Sequence, residues 1–175
     1  LTSIPAMAPE SGGDGELEKC EKLAEYLRSI GLDKLERYDA KDGRVSSGIR
    51  PNMIATIEGE KSDYSIWIMA HLDVVPPGDL KMWDSDPWTV IEKNGKLIGR
   101  GVEDNQQGLV SGVFAAKALI DNKIKPKHTV KLLFMADEEC GSEYGIKFLL
   151  RKHKELFGKD DIILIPDGGD AKGET

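Results

Sequence analysis

Ser65-Ile66-Trp67-Ile68-Met69-Ala70 is a short, nearly uninterrupted apolar run, followed at once by His71-Leu72-Asp73. A strand with one wet face alternates apolar and polar residues. A run without alternation marks a strand covered on both faces, the situation of parallel sheets in α/β proteins. Thr129 to Met135 and Ile162 to Ile165 read the same way downstream, as two more buried strands. Upstream, Arg50-Pro51-Asn52 breaks the chain, and Met53 to Ile57 forms a short β-branched strand ended by Gly59.

Between these runs the periodicity becomes helical. Glu16 to Ile30 sets Leu17, Cys20, Leu23, Leu27 and Ile30 on one face, with Gly31 as the stop. Asp104 to Ile120 carries Leu109, Val110, Val113, Phe114, Ala116 and Ile120, an apolar face wide enough to predict a well-buried helix. Tyr144 to Phe157 places Ile146, Leu149, Leu150 and His153 on one side and closes at Gly158. Trp88 to Ile98 holds Asn94-Gly95 between two extended runs, the signal of a tight hairpin. Residues 9–15 and Pro76 to Pro87 are loops by composition. Strands alternating with helices predict an α/β domain: three α/β/α layers around a mostly parallel mixed sheet, with an antiparallel hairpin attached.

The chain has 175 residues, enough for one domain with a core. Its 39% hydrophobic and 31% charged residues place it among ordinary globular proteins. The net charge of −7 argues against nucleic acid and anionic lipid as partners, because no basic stripe is present to displace counterions from phosphate. No apolar run approaches the roughly 20 residues of a membrane span. Cys20 and Cys140 read as free thiols, which together with the absence of a signal-peptide pattern in Leu1 to Pro5 leads us to expect a cytoplasmic protein. No Met opens the chain and Gly168 to Thr175 reads as a loop leading onward. Further residues are therefore expected on both sides, and the domain is expected to be C-terminally incomplete.

In open α/β sheets, ligands bind beyond the carboxyl ends of the strands. What leaves the three buried runs is His71-Leu72-Asp73, Asp137-Glu138-Glu139 and Pro166-Asp167, while Gly99-Arg100-Gly101-Val102-Glu103-Asp104 opens the buried helix. Converging carboxylates repel unless they are compensated. Arg100 is placed to offset one of them, and one or two divalent cations compensate better. An imidazole with several carboxylates and no thiolate suits zinc, manganese or cobalt. His71 is then a ligand through a neutral ring nitrogen. Asp73 lies on the same side of extended backbone and is placed to accept the other ring N–H. Asp104 is placed to bridge two metals about 3.5–4 Å apart. One of Glu138 and Glu139 can ligate while the other takes a proton from an activated water, and Asp167 completes the shell on the His71 side.

Taken singly, each of these residues has a blander explanation. A strand-end His is more often just a satisfied polar group, adjacent glutamates a solvated surface, an Asp opening a helix a cap, and an Asp before two glycines a turn. The blander set does not explain why all four clusters fall at one end of one sheet. His128, at the opposite end, and His153, on a helix stripe, are not read as ligands.

His71-Leu72-Asp73-Val74-Val75-Pro76, Trp83 to Trp88, Gly99 to Asp104, Asp137 to Ser142 and Pro166-Asp167-Gly168-Gly169 together resemble the M20 metallopeptidases. That group includes carboxypeptidases, cytosolic dipeptidases, aminoacylases, acetylornithine deacetylase and succinyl-diaminopimelate desuccinylase. The resemblance implies a zinc-exopeptidase-like catalytic domain with two divalent metal ions, zinc first and cobalt or manganese next. It implies that His71, Asp104 and Asp167 hold one metal and that Asp104 and Glu139 hold the other. Glu138 would be general base and acid, Asp73 would orient His71, and the Asp104–Asn105 peptide would be cis. The substrate would be a small peptide or an N-acyl amino acid, with an N-acyl deacylase or a non-catalytic metal-binding relative as alternatives. The full-length protein would be a homodimer. Asn105-Gln106-Gln107-Gly108 departs from relatives that carry an acidic residue and a Lys there. The family's second His ligand and its inserted lid or dimerisation domain are not within residues 1–175, so this stretch alone is expected to bind metal weakly and to have little activity.

Overall fold

The computed structural model describes residues 1–168. Helix α1 (Leu17–Ser29) is followed by short strands β1 (Leu35–Arg37), β2 (Ala40–Lys41) and β3 (Ile49–Arg50), and then by β4 (Met53–Ile57) and β5 (Lys61–His71). The hairpin β6 (Ile91–Lys93) and β7 (Lys96–Ile98) leads to α2 (Gly108–Asp121), β8 (His128–Met135), α3 (Ile146–Lys152) and β9 (Ile162–Leu164).

Local chemistry accounts for several of these boundaries. At the end of α1, Gly31 takes φ 85°. Its N–H donates to the Arg28 carbonyl while the Leu32 N–H reaches back to Leu27. This is the two-bond C-terminal closure that glycine makes inexpensive. Asn94 (φ 55°) and Gly95 (φ 72°) supply the paired left-handed turn that joins β6 to β7.

The main sheet has the order β1-β4-β8-β5-β9. The pairs β1/β4 and β4/β8 are antiparallel, whereas β5 runs parallel to both β8 and β9. The sheet is thus mixed, and its parallel portion ends at His71, Met135 and Leu164 on one side. Alternation along the central strands separates two cores. Met53, Ala55, Ala70, Leu132 and Phe134 pack with Cys20, Leu23 and Leu27 of α1 and Leu109, Val113 and Ala116 of α2. Ile54, Trp67, Met69, Leu133 and Met135 face the other way, onto Leu149 of α3 and the partly buried Phe148 and Phe157. Covering both faces is what makes these strands uniformly apolar in sequence, and the three α/β/α layers follow from it.

Three expectations need correction. Among the described residues the Ile162 to Ile165 run pairs with β5 alone, and its residues are 45–60% exposed rather than covered. The helix expected over 144–157 is confined to Ile146–Lys152. It does not begin earlier because Gly145 takes non-helical backbone, φ −97° and ψ −121°, where the chain passes close against the Ala136 carbonyl. It ends because His153 leaves helical geometry and packs its ring against Tyr38 and Phe148. Finally, α2 is less enclosed than its apolar face predicts: Phe114 is 55% exposed and Val110 39%.

Candidate metal centre

His71 is the last residue of β5 and lies in register with Met135, the last residue of β8. The chain therefore leaves both strands side by side, and the Leu72 N–H still donates to the Met135 carbonyl. The His71 ring is buried. Its Nδ1 is 2.9 Å from the Asp73 carbonyl oxygen, an acceptor, so Nδ1 carries the proton and Nε2 is left to face the pocket. There Nε2 meets Asp104 Oδ1 at 2.9 Å, Asp167 Oδ1 at 3.9 Å and Glu138 Oε2 at 4.0 Å.

Two triplets of potential ligands share this imidazole: His71, Glu138 and Asp167, and His71, Asp104 and Glu139. Within each, one donor atom per residue lies within 4.8 Å of the others. Asp104 precedes α2 in an irregular turn, Val102–Gln107, and the Asp104–Asn105 peptide is cis. Asp167 is brought alongside by close packing. The Asn105 side-chain amide donates to the Pro166 carbonyl at 3.3 Å, and Gly108 leaves room for that carbonyl. Asp104 and Glu138 side chains are 55% and 44% exposed, so the pocket is open to solvent on their side.

The charges are poorly balanced without a cation. Burial opposes the His71 imidazolium, but Asp73, Asp167 and Glu138 outweigh it and hold its pKa up at about 9. Burial raises the Glu138 carboxyl, and Asp167, Asp73 and Asp104 add to this against the pull of His71. Glu139 is raised by burial and by Asp104, again with His71 opposing. Glu139 Oε1 is buried without a hydrogen-bond partner. An orphaned carboxylate oxygen facing other carboxylates and an imidazole is what a divalent cation would satisfy.

Asp73 is buried and connects the two halves of the site. Its carboxylate accepts the backbone N–H groups of Glu138 and Glu139, both at 3.0 Å. Its Oδ1 lies 3.5 Å from His71 Nδ1, so the shorter bond from that nitrogen goes to the Asp73 carbonyl rather than its carboxylate.

Two members of the expected clusters face elsewhere. Asp137 takes φ 67°, and its carboxylate turns to Arg50 at 3.4 Å and to the Tyr144 N–H at 3.1 Å. Arg100 does not offset the carboxylates. Its guanidinium lies over the Trp83 ring at 5.3 Å, and among the described residues no acid is within ion-pair distance of it. His128 stacks on Tyr64 and pairs with Asp63 at the far end of the sheet. Sequence reasoning missed the fully buried Arg50 with its partners Glu16 and Asp42. In the sequence Arg50 stands out only as part of a chain break, and Glu16 only as a helix start. The one available signal was an Arg immediately before Pro-Asn at a strand entrance.

Residues 67–175 match the family model for peptidase family M20/M25/M40. An uncharacterized metallohydrolase of Methanocaldococcus jannaschii is 42% identical, the match covering 99% of this chain and 43% of that protein. A succinyl-diaminopimelate desuccinylase of Delftia acidovorans is 33% identical over 89% of this chain and 38% of its own. Among solved structures, an M20 family metallo-carboxypeptidase of Sulfolobus solfataricus superposes with TM-score 0.79 at 24% identity, covering 99% of this chain and 37% of its own, which speaks to the fold alone. The chain thus spans about 43% of the length of the metallohydrolase it matches.

Proposed function

Because the chain belongs to peptidase family M20/M25/M40, we propose that the full-length protein is a metal-dependent hydrolase that cleaves an amide bond in a small peptide or an N-acyl amino acid. The observation that carries this reading is the convergence of donor atoms from His71, Asp104, Glu138, Glu139 and Asp167 at the carboxyl ends of β5, β8 and β9. In this reading His71, Asp104 and Asp167 would hold one divalent ion and Asp104 and Glu139 would hold a second, zinc being the best match to the donor set. Such ions, when bound, supply Lewis acidity toward water and toward an amide carbonyl.

The chain's own residues supply the rest. Asp73 fixes the His71 ring and the Glu138–Glu139 backbone. Glu138 stands at the mouth of the pocket, and its raised pKa suits a group that alternately takes and returns a proton. It takes a proton from the attacking water and delivers it to the leaving amine. The same reading makes the full-length protein a cytoplasmic homodimer with a further lid domain.

The test is Glu138→Gln in the full-length protein. Turnover should fall to background while metal content, measured by mass spectrometry, stays the same. Retained turnover would remove Glu138 from the proton-transfer role. The Delftia relative favours a second substrate reading, an N-acyl deacylase. Side-by-side kcat/KM values for dipeptides and for N-succinyl and N-acetyl amino acids separate the two.

A further inference from the structure

Resting on the metallohydrolase reading, we infer that Arg50 and Asn52 are positioning residues that set the segment leaving β8 so that Glu138 and Glu139 face His71. That segment doubles back within a few residues. Asp137 and Ser142 both take left-handed backbone, φ 67° and 63°, which costs energy for residues with a Cβ. The Ser142 N–H closes the turn onto the Asp137 carbonyl at 2.6 Å. Something outside the segment must hold this shape.

Asn52, fully buried, grips both ends. Its Oδ1 accepts the Ala136 N–H at 3.2 Å, and its Nδ2 donates to the Tyr144 carbonyl at 2.9 Å. Arg50, also fully buried, grips the first residue of the turn. Its Nε donates to Glu16 Oε2 at 2.7 Å, its Nη2 pairs with Glu16 Oε1 and lies 3.4 Å from Asp137 Oδ1, and its Nη1 lies 3.5 Å from Asp42. Glu16 in turn accepts the Asp137 N–H at 3.3 Å. The Tyr144 ring lies under the Arg50 guanidinium at 5.4 Å. Pro51 biases the residue before it toward extended backbone, where alternate residues point to one side, so Arg50 and Asn52 reach the same segment. From the opposite side Asp73 accepts the Glu138 and Glu139 N–H groups. Neither Arg50 nor Asn52 belongs to either ligand triplet.

The arrangement needs a planar fork. A lysine at position 50 keeps the charge that compensates Glu16, Asp42 and Asp137 but cannot reach Glu16 and Asp137 together. In the metal-loaded full-length protein, Arg50→Lys and Asn52→Ala should each lower kcat and zinc affinity about ten- to hundredfold, as partners that orient ligands do. KM should move much less. Trp67→Phe, a change in the opposite core, should give a comparable fall in melting temperature with kcat preserved. Variants that fold but keep kcat and zinc affinity within about twofold of wild type would overturn the inference, as would an equal kcat loss in Trp67→Phe. Failure of both Arg50→Lys and Asn52→Ala to fold would assign the clamp to the fold as a whole and overturn it too. If the wild-type protein neither binds zinc nor turns over, the metallohydrolase reading itself fails.

Discussion

Lys19 sits on α1 with its ammonium buried and unpartnered, and its pKa is drawn down to about 8, chiefly by burial and against the pull of Asp73 and Glu16. Below about pH 8 the fold carries the full cost of a desolvated cation. Between about 8 and 10.5 the unfolded chain binds more protons than the folded one, so stability from this group rises with pH across that window. Replacing it with an apolar residue of similar length removes the cost. Lys19→Met should therefore stabilise the protein at pH 7 by roughly 1–3 kcal/mol, as such replacements often do. The gain should shrink as pH climbs past about 8. Denaturant unfolding at pH 7 and pH 10 measures both; a pH-independent difference would sink the idea. The position illustrates what a helical stripe hides: Cys20, Leu23 and Leu27 announce the buried face of α1, while nothing in the pattern marks Lys19 and Glu16 as buried beside them.

At the scale of elements, the start of α2 decides where Asp167 goes. Gly108 has ordinary helical backbone (φ −63°), so alanine there would favour the helix by itself. The obstacle is tertiary: a Cβ at this position would stand 2.2 Å from the Pro166 carbonyl oxygen. Gly108→Ala should leave the helix intact but push Pro166 and Asp167 away from Asp104. Zinc affinity should fall about ten- to hundredfold, since displacements of about 1 Å at a site have effects of that size. Calorimetric titration with zinc reads this, and unchanged affinity would refute it. Long elements were legible because both cores demand apolar residues: helices show this as a stripe, and β5 as an unbroken run, its Trp67 and Met69 face covered by one core and its Ile68 and Ala70 face by the other. The two-residue strands β2 and β3 left no such trace, because pairing that short is set by distant partners rather than by pattern.

For the whole molecule, metal binding joins segments that are far apart in sequence: the ends of β5 and β8, the turn before α2 and the residues after β9. Zinc should therefore stabilise the full-length fold by roughly 3 kcal/mol when free metal stands about 100 times above Kd. Chelation should lower Tm and abolish turnover together, and readdition should restore both. A Tm indifferent to chelator and zinc would speak against a resident metal. No helix among the described residues is long and apolar enough to cross a membrane. By itself the amino-acid sequence determined the layered α/β plan and singled out His71, Asp73, Asp104, Glu138, Glu139 and Asp167, which the fold brings together. It could do so because strands covered on both faces must be apolar throughout, so the polar residues that end them stand out. Only the tertiary structure decided that Asp137 turns to Arg50, that Arg100 lies on Trp83, and that β9 is exposed. The first depends on left-handed backbone at Asp137 and on a partner far away in sequence, the others on which elements come to lie alongside, and no local pattern encodes these.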